Sequence, residues 1–409
     1  MDSVVGKRVK IRAKGRIFEG IAMPSPTGSF VLKLDNGYNV GFLDYEILEV
    51  RETERFEEKL DLSRNPDLPD VKIISTGGTI ASKVDYNTGA VTSQFTAEEI
   101  VGDVPEVAEI CNVDAVLLYN ILSENMKVQH WIELAREVYS SLKKYEGVII
   151  THGTDTMAYT ASALAFMLST PKPIVLVGAQ RSSDRPSSDA AMNLFCAAKA
   201  ATSDLGEVVV VMHATTSDDY CYIHRGVKVR KCHTSRRDAF KSINYPPLGR
   251  VDYPSGKIEW FAERYRRDER ELKLRDKMEE KVILVKFFPG LKPDILDFYH
   301  EKGYRGFVVE GTGLGHVSTD WLDTLKRICE DSVVVMTSQC LWGRICDRVY
   351  DTGRYLLKAG VIEGEDMLPE VALVKLMWLL GNYSVEEARE FVKENLVGEI
   401  TPSTRYEVF

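Results

Sequence analysis

The residues of this sequence that are best suited to chemistry lie in two turns that contain threonine and glycine. Residues 75–79 (STGGT) follow the apolar run 71–74, and residues 152–156 (HGTDT) follow the apolar run 148–151. Each turn places hydroxyl groups at the carboxyl end of a predicted buried strand, where open α/β sheets bind their ligands. The second turn adds the carboxylate of Asp155. Since a threonine hydroxyl is a poor nucleophile until a nearby group takes its proton, the Thr–Asp pair indicates a proton relay.

Both turns also have a purely structural interpretation. The glycines of the first turn either let backbone N–H groups approach a ligand oxyanion or form a tight exit from the strand. No Gly-Lys-Ser/Thr follows them, and the full dinucleotide fingerprint is missing, so a nucleotide loop is not predicted. In the second turn, Asp155 or Thr156 is suited to cap the next helix. The pairing of the two turns favours the catalytic interpretation.

A third candidate is Lys231, which lies in residues 229–235 (VRKCHTS). Most lysines are solvated surface charges, and the sequence alone does not exclude that role here. A lysine accepts a proton when desolvation or neighbouring cations lower its pKa. Arg230 next to it is compatible with such a shift but does not establish it.

Two further groups of polar residues are candidate ligand sites. Cys221, His224, Cys232 and His233 offer four possible zinc ligands, but their spacing fits no common zinc module. We therefore predict no metal site. A second group crowds a loop and the start of a helix, where it either orients a ligand carboxylate or forms an internal ion-pair cluster; its members are Arg181, Asp184, Arg185 and Asp189.

Bulk composition narrows the class of protein. The chain has 409 residues, 44% of them hydrophobic, and a formal net charge of −9. That length predicts two or three domains, and the acidic balance gives no sign of nucleic-acid binding by bulk charge. No 18-residue apolar run suggests a membrane span, and the first residues do not resemble an export signal. Seven scattered cysteines are typical of a reduced, cytoplasmic protein.

The hydrophobic pattern changes along the chain. Short strands with period-2 alternation fill residues 1–55 and predict a small SH3-like β-barrel, in which Lys10, Arg12 and Lys14 form either a tRNA or protein contact or an ordinary solvated face. Residues 56–70 have linker composition. Alternating apolar strands and helices then predict an α/β fold with parallel sheets. A charged segment, 266–280, divides it into a large lobe, 71–265, and a smaller lobe, 281–409.

Four segments together resemble the L-asparaginase/glutaminase family. They are residues 74–80 (ISTGGTI), 151–157 (THGTDTM), 178–181 (GAQR) with 189–193 (DAAMN), and 231–242 (KCHTSRRDAFKS). The resemblance extends from residue 71 to near the C-terminus. It implies a two-lobed, asparaginase-like parallel-sheet body, with sites built between the subunits of a homodimer.

The resemblance also implies roles for individual residues. Thr79 resembles the family's nucleophile, Thr154 and Asp155 its second threonine and aspartate, and Lys231 its lysine. Ser123 resembles the serine that holds the α-carboxylate of the substrate, and Asp155 would also hold the α-ammonium group. The remaining predicted substrate-binding residues are Glu124, Gly78 and Gly153. The family's mobile loop usually carries a tyrosine, but Ala90 lies near that place here, and Tyr86 is the candidate lid residue.

The strand-rich N-terminal region is absent from ordinary asparaginases. An all-β domain before an asparaginase body resembles the glutaminase subunits of archaeal tRNA-dependent amidotransferases. This resemblance implies that the chain releases ammonia from glutamine for a partner, the E subunit of the amidotransferase, which converts Glu-tRNA(Gln) with ATP and Mg²⁺. The chain itself is expected to bind no cofactor or metal. Two alternatives stay open: a stand-alone cytoplasmic L-asparaginase, and a scaffold protein without catalytic activity.

Overall fold

A computed structural model describes residues 4–25, 29–35, 38–52, 64–78, 82–84, 91–93, 96–182 and 187–404. Within them, the larger sheets have five, eight and four strands, and three two-stranded ribbons accompany them. The described part of the chain contains no helix that is long and apolar enough to cross a membrane.

The N-terminal region is a five-stranded antiparallel sheet in the order β4-β3-β2-β1-β5. Its strands are β1 (Arg8–Ala13), β2 (Arg16–Met23), β3 (Phe30–Leu34), β4 (Asn39–Phe42) and β5 (Glu46–Arg51). The period-2 pattern of β1 buries Val9, Ile11 and Ala13. These side chains pack with Phe30 and Leu32 in a core of their own. The predicted all-β start of the chain is confirmed.

The first α/β lobe is built on the eight-stranded sheet, in the order β18-β17-β14-β13-β12-β10-β6-β9. Its helices are α1 (Ala97–Asp103), α2 (Val128–Leu142), α3 (Met157–Met167) and α4 (Ala190–Ala201). Its strands are β6 (Asp70–Ser75), β7 (Ser82–Val84), β8 (Val91–Ser93), β9 (Asn112–Leu117), β10 (Gly147–Thr151), β11 (Leu168–Ser169), β12 (Ile174–Val177), β13 (Val208–His213), β14 (Tyr220–Arg225), β15 (Val229–Lys231), β16 (Phe240–Ser242), β17 (Gly249–Asp252), β18 (Ile258–Trp260) and β19 (Lys273–Leu274).

Helices cover both faces of the central strands of this sheet. Ile150 on β10 packs into the hydrophobic cluster that contains residues of α2 and α3, and Ile149 packs into the cluster that contains residues of α4. Strands buried on both faces read as continuous apolar runs, which is why β10 lacks alternation. Strands β9, β6, β10, β12 and β13 are parallel, as predicted.

The same sheet continues as an antiparallel extension that the sequence analysis did not predict. Strands β14, β17 and β18 pair antiparallel from β13 outward. The connection from β13 to β14 is too short for the crossover that a parallel pair requires, so β14 must run back along its neighbour. The parallel sheet expected for this lobe is therefore mixed.

The second lobe is a parallel sheet in the order β20-β21-β22-β23. Its elements are β20 (Val282–Lys286), α5 (Asp294–Glu301), β21 (Gly306–Gly311), α6 (Leu322–Ile328), β22 (Val333–Ser338), α7 (Asp351–Ala359), β23 (Ile362–Glu363), α8 (Pro369–Asn382) and α9 (Val385–Phe391). Helix α8 begins at Pro369, and Ser384 and Glu387 form a capping box at the start of α9. The largest hydrophobic cluster includes Leu164 of the first lobe and Trp378 of the second, so the two lobes share one core.

Candidate active site

The two threonine turns begin side by side at the carboxyl edge of the first sheet. Strands β6 and β10 are parallel neighbours, and their last residues, Ser75 and Thr151, are paired in register. The backbone N–H and the hydroxyl of Thr76 both donate to the carbonyl oxygen of Thr151, each at 3.0 Å. The Thr151 hydroxyl donates to Ser75 Oγ at 3.1 Å. The turns therefore leave the sheet from one hydrogen-bonded point.

Glycine lets these turns pack backbone against backbone. Gly78 has a φ of +88°, and a Cβ built on it would lie 2.6 Å from the backbone nitrogen of Gly153. A Cβ on Gly153 would in turn lie 2.7 Å from Ser123 Cβ. Gly77, with a φ of +101°, approaches the carbonyl oxygen of Ile121 in the same way. Since no larger residue fits these contacts, the sequence of the turns is dictated by their close approach.

Lys231 reaches the second turn from a distant part of the chain. It ends β15, which forms a hairpin with β16. Its Nζ donates to Thr154 Oγ1 at 2.8 Å and to Asp155 Oδ1 at 2.7 Å. The Lys231 side chain is 13% exposed, whereas that of Asp155 is 67% exposed. The structure thus joins three of the predicted catalytic residues, with the carboxylate on the solvent side of the group.

The predicted substrate-binding residues lie around this group. Ser123 is buried and packs against Gly153, while its neighbour Glu124 is exposed. Thr156 donates its hydroxyl to the carbonyl oxygen of Ser123 at 2.7 Å. Its side chain makes no capping hydrogen bond to α3, although the sequence made it a candidate cap. Thr156 instead ties the turn at Ser123 to the turn at Gly153.

The predicted nucleophile and the candidate lid residue lie outside the described part of the chain. They are Thr79 and Tyr86, respectively. Their roles stay predictions. The last described residue of the first turn, Gly78, adjoins Thr79 in the chain and contacts the second turn through Gly153.

A third turn, which carries the predicted group around Arg181 and Asp189, lies at the same edge. It follows β12, and a Cβ on Gly178 would lie 2.9 Å from Thr154 Cγ2. The fully buried carboxylate of Asp189 accepts from the backbone nitrogens of Gln180 and Arg181 at 2.9–3.0 Å and from Asn193 Nδ2 at 3.0 Å. Asp189 therefore holds this turn. Asp184 and Arg185 lie outside the described residues, so the role of the group as a ligand-orienting site or an ion-pair cluster stays a prediction.

His152 is a residue whose role the sequence analysis missed. It is fully buried, and burial lowers its pKa to about 4. Its Nδ1 lies 2.6 Å from the carbonyl oxygen of Gly153, and its Nε2 lies 2.9 Å from Thr160 Oγ1, which also accepts from Trp131 Nε1. A neutral imidazole with its proton on Nδ1 satisfies all of these contacts. The signal available in the sequence was a polar residue between a buried strand and a threonine turn.

The four possible zinc ligands are divided between two places. Cys221 and His224 are buried on β14, where the Cys221 thiol donates to Asn193 Oδ1 at 3.3 Å and His224 Nδ1 lies 2.7 Å from Ser242 Oγ. Cys232 and His233 are exposed after β15. Among the residues that the structure describes, no group of three or more His, Cys, Asp or Glu side chains is arranged to hold a metal ion.

Comparisons with known proteins agree with this architecture. Three family models match: "GatD N-terminal domain" at residues 4–51, "Asparaginase, N-terminal" at 70–266 and "Glutaminase/Asparaginase C-terminal domain" at 281–391. Among solved structures, the thermostable L-asparaginase from Thermococcus kodakarensis is 31% identical with a TM-score of 0.73, and covers 82% of this chain and 100% of its own. L-asparaginase I from Vibrio cholerae is 30% identical with a TM-score of 0.71, and covers 82% and 99%.

Curated relatives match over almost the whole chain, including the N-terminal sheet. The D subunit of glutamyl-tRNA(Gln) amidotransferase from Archaeoglobus fulgidus is 76% identical over 99% of this chain and 97% of its own. The protein of the same name from Methanosarcina acetivorans is 54% identical over 99% of this chain and 100% of its own. The predicted family and fold are confirmed, and the chain belongs to the family of glutamyl-tRNA(Gln) amidotransferase D subunits, which join a GatD N-terminal domain to an asparaginase body.

Proposed function

We propose that this chain is the glutaminase component of a tRNA-dependent amidotransferase. It hydrolyses the side-chain amide of glutamine and supplies ammonia to a partner, the E subunit, that converts Glu-tRNA(Gln) to Gln-tRNA(Gln). The observation that carries this proposal is the contact of Lys231 with Thr154 and Asp155 at the edge of the sheet. A scaffold protein without catalytic activity has no need to hold an amine, a hydroxyl and a carboxylate in this arrangement.

The proposed chemistry uses two hydroxyl groups in succession. The Thr79 oxygen attacks the amide carbon, and the group of Lys231, Asp155 and Thr154 takes up the proton of that hydroxyl and relays it to the departing nitrogen. The C–N bond then breaks, ammonia leaves, and a glutamyl ester remains on Thr79. The group of Thr154, Lys231 and Asp155 activates a water molecule that cleaves the ester and releases glutamate. Two threonines therefore divide one difficult hydrolysis into two easier steps.

Substrate recognition follows from the groups around the turns. The exposed carboxylate of Asp155 is suited to pair with the α-ammonium group, and Ser123 is suited to donate to the α-carboxylate. Backbone N–H groups near Gly78 and Gly153 are suited to stabilise the oxyanion, and losing one such donor typically raises the barrier by about 3–4 kcal/mol. Glu124, exposed beside Ser123, completes the proposed set.

The proposal extends to the assembly. The asparaginase body forms a homodimer, the complex acts in the cytoplasm, and ATP and Mg²⁺ are used by the E subunit while this chain binds no cofactor.

The test measures ammonia release and ammonia transfer from amide-labelled glutamine, with and without the E subunit and Glu-tRNA(Gln). We expect labelled Gln-tRNA(Gln) from the complete mixture, and a loss of hydrolysis of at least about 100-fold in Thr79→Val, Thr154→Val and Lys231→Met. Lys241→Met is the matched control, because Lys241 lies on the same hairpin and pairs with Asp238.

Three results would each contradict part of the proposal. Normal turnover in Lys231→Met would remove that lysine from the relay. Efficient hydrolysis of asparagine without any transfer from glutamine would favour the stand-alone asparaginase. Absence of hydrolysis and of transfer in the complete mixture would favour the scaffold.

A further inference from the structure

We propose that Lys228 is a positioning residue for Lys231. Its buried ammonium group, paired with Asp366 of the second lobe, fixes the base of the hairpin that presents Lys231 to Thr154. This inference rests on the proposed function, because it assigns the second lobe a part in placing the catalytic amine.

Lys228 lies three residues before Lys231, where the hairpin leaves the sheet. Its side chain is 1% exposed, and its Nζ donates to Asp366 Oδ2 at 2.8 Å. Its backbone is also fixed: the carbonyl oxygen accepts from Ile243 N at 2.7 Å, and the nitrogen donates to Arg225 O at 2.9 Å. The first of these bonds closes the base of the β15–β16 hairpin.

The second strand of the hairpin is held by the same part of the second lobe. Asn244, just after β16, donates through Nδ2 to the carbonyl oxygens of Asp366 and Gly343, each at 3.0 Å. Its Oδ1 accepts from the backbone nitrogen of Gly343 at 2.9 Å. Both strands are therefore attached to the second lobe at their base, by side chains that are themselves buried.

Asp366 is well suited to fix a buried cation. Besides Lys228, its carboxylate accepts from the backbone nitrogen of Thr401 at 2.9 Å and from the Thr401 hydroxyl. The C-terminal segment thus restricts the direction in which Asp366 meets Lys228. A carboxylate held by three donors allows its partner little freedom.

The Lys228–Asp366 pair is expected to matter more for the position of Lys231 than for the stability of the fold. Replacing a buried ion pair with well-packed apolar residues is often neutral or stabilising, so the pair is weak evidence for a role in stability. The position of the Lys231 amine depends more strongly on this pair. A strand rises about 3.3 Å per residue, so Lys231 lies roughly 10 Å beyond the attachment point, and a small tilt at the base becomes a large displacement at its amine. A displacement of about 1 Å at a catalytic group can reduce the rate about 100-fold.

The experiment compares Lys228→Met with Lys375→Met. Lys375 forms an equally buried pair with Glu399, at 2.7 Å and 0% exposure of both side chains, and donates to the carbonyl oxygens of Val392 and Glu394. Both variants leave a carboxylate buried without its cation. We measure Tm, kcat and KM for glutamine hydrolysis, and the pH dependence of kcat.

We expect both variants to lower Tm by similar amounts, but only Lys228→Met to lower kcat, by about 10–100-fold with KM changed less than about threefold. A limb of its kcat–pH profile also shifts, because Lys231 no longer holds the same contacts with Thr154 and Asp155. Lys228→Arg restores most of kcat. Asp366→Asn, which keeps the shape of the carboxylate, is measured in parallel and replaces Lys228→Met if the latter does not fold.

The proposal is overturned if Lys228→Met and Asp366→Asn keep kcat within about twofold of the original, or if Lys375→Met loses kcat equally. The proposed function fails in a different way. If Lys231→Met hydrolyses glutamine normally, the relay assignment itself is wrong, whatever Lys228 does.

Discussion

Among single residues, His152 shows how burial selects one protonation state next to the second threonine turn. Its Nδ1–H donates to the carbonyl oxygen of Gly153, and its Nε2 accepts from Thr160, whose oxygen in turn accepts from Trp131. With its only proton on Nε2, the imidazole would place the Nδ1 lone pair 2.6 Å from the carbonyl oxygen of Gly153, with no hydrogen between the two acceptors. The neutral imidazole therefore fixes the direction of the Gly153 carbonyl and, with it, the start of the turn.

We expect His152 to make the protein less stable in mild acid. The folded pKa is about 4, below the ordinary value of 6.5, so the unfolded chain binds more protons between these limits and stability falls as pH falls through them. The full effect of such a shift is about 3 kcal/mol. His152→Gln is expected to show a smaller drop in Tm between about pH 7.5 and about pH 4.5 than the unsubstituted chain. An unchanged drop would contradict this account.

At the scale of elements, the candidate site lies where several strand ends meet. Residues that are far apart in the sequence are in contact there. The turns after β6, β10 and β12 and the segment at Ser123 touch through glycines and short side chains. The β15–β16 hairpin then adds Lys231 from the side. The strands fix the positions of the turns, and the turns carry most of the side chains that we propose to act on the substrate.

Gly78 gives the sharpest test of this packing. Gly78→Ala is expected to abolish glutaminase activity and to lower Tm, because the added Cβ would lie 2.6 Å from Gly153 N and the φ of +88° is unfavourable for alanine. Gly290→Ala is the control: its φ is +94°, but a Cβ there meets nothing within 4 Å. Gly290→Ala should lower the free energy of unfolding by only about 1–2 kcal/mol, because alanine is unfavourable at a positive φ, and it should keep full activity. Equal effects of the two substitutions would show that crowding against Gly153 is unimportant.

Local patterns in the sequence were enough for the all-β start of the chain, the buried parallel strands and the two threonine turns. Strand β10 is a bounded apolar run. The role of Lys228 depends on Asp366, which lies 138 residues away along the chain and gives no local signal. Strands β17 and β18 have only four and three residues, and β14 carries polar side chains among its buried positions, so periodicity alone did not reveal this extension.

The whole molecule has two structural units with different cores. The lobes share one hydrophobic cluster, in which Ile150 and Val335 both take part, whereas the N-terminal sheet buries its own cluster around Ile11. The C-terminal segment also joins the lobes. Gly398 packs against the Arg225 side chain of the first lobe, and Glu399 pairs with Lys375 of the second. We therefore expect the lobes to unfold as one unit.

Glu399→Gln tests this coupling, because it leaves Lys375 buried without a counter-charge. Breaking a buried pair in this way typically lowers the free energy of unfolding by about 3–5 kcal/mol. In hydrogen exchange, amides of β10 and β22 should lose protection by the same amount, while amides of β1 keep theirs. Loss of protection confined to β22 would mean that the lobes open separately.

The contact between Gly78 and Gly153 has a consequence for how this site can change. A side chain at position 78 would collide with main-chain atoms, and every amino acid carries those atoms. No replacement at position 153 can make room for it. A second-site suppressor of Gly78→Ala would have to move a whole strand end. We therefore expect that no single further substitution restores the activity of Gly78→Ala.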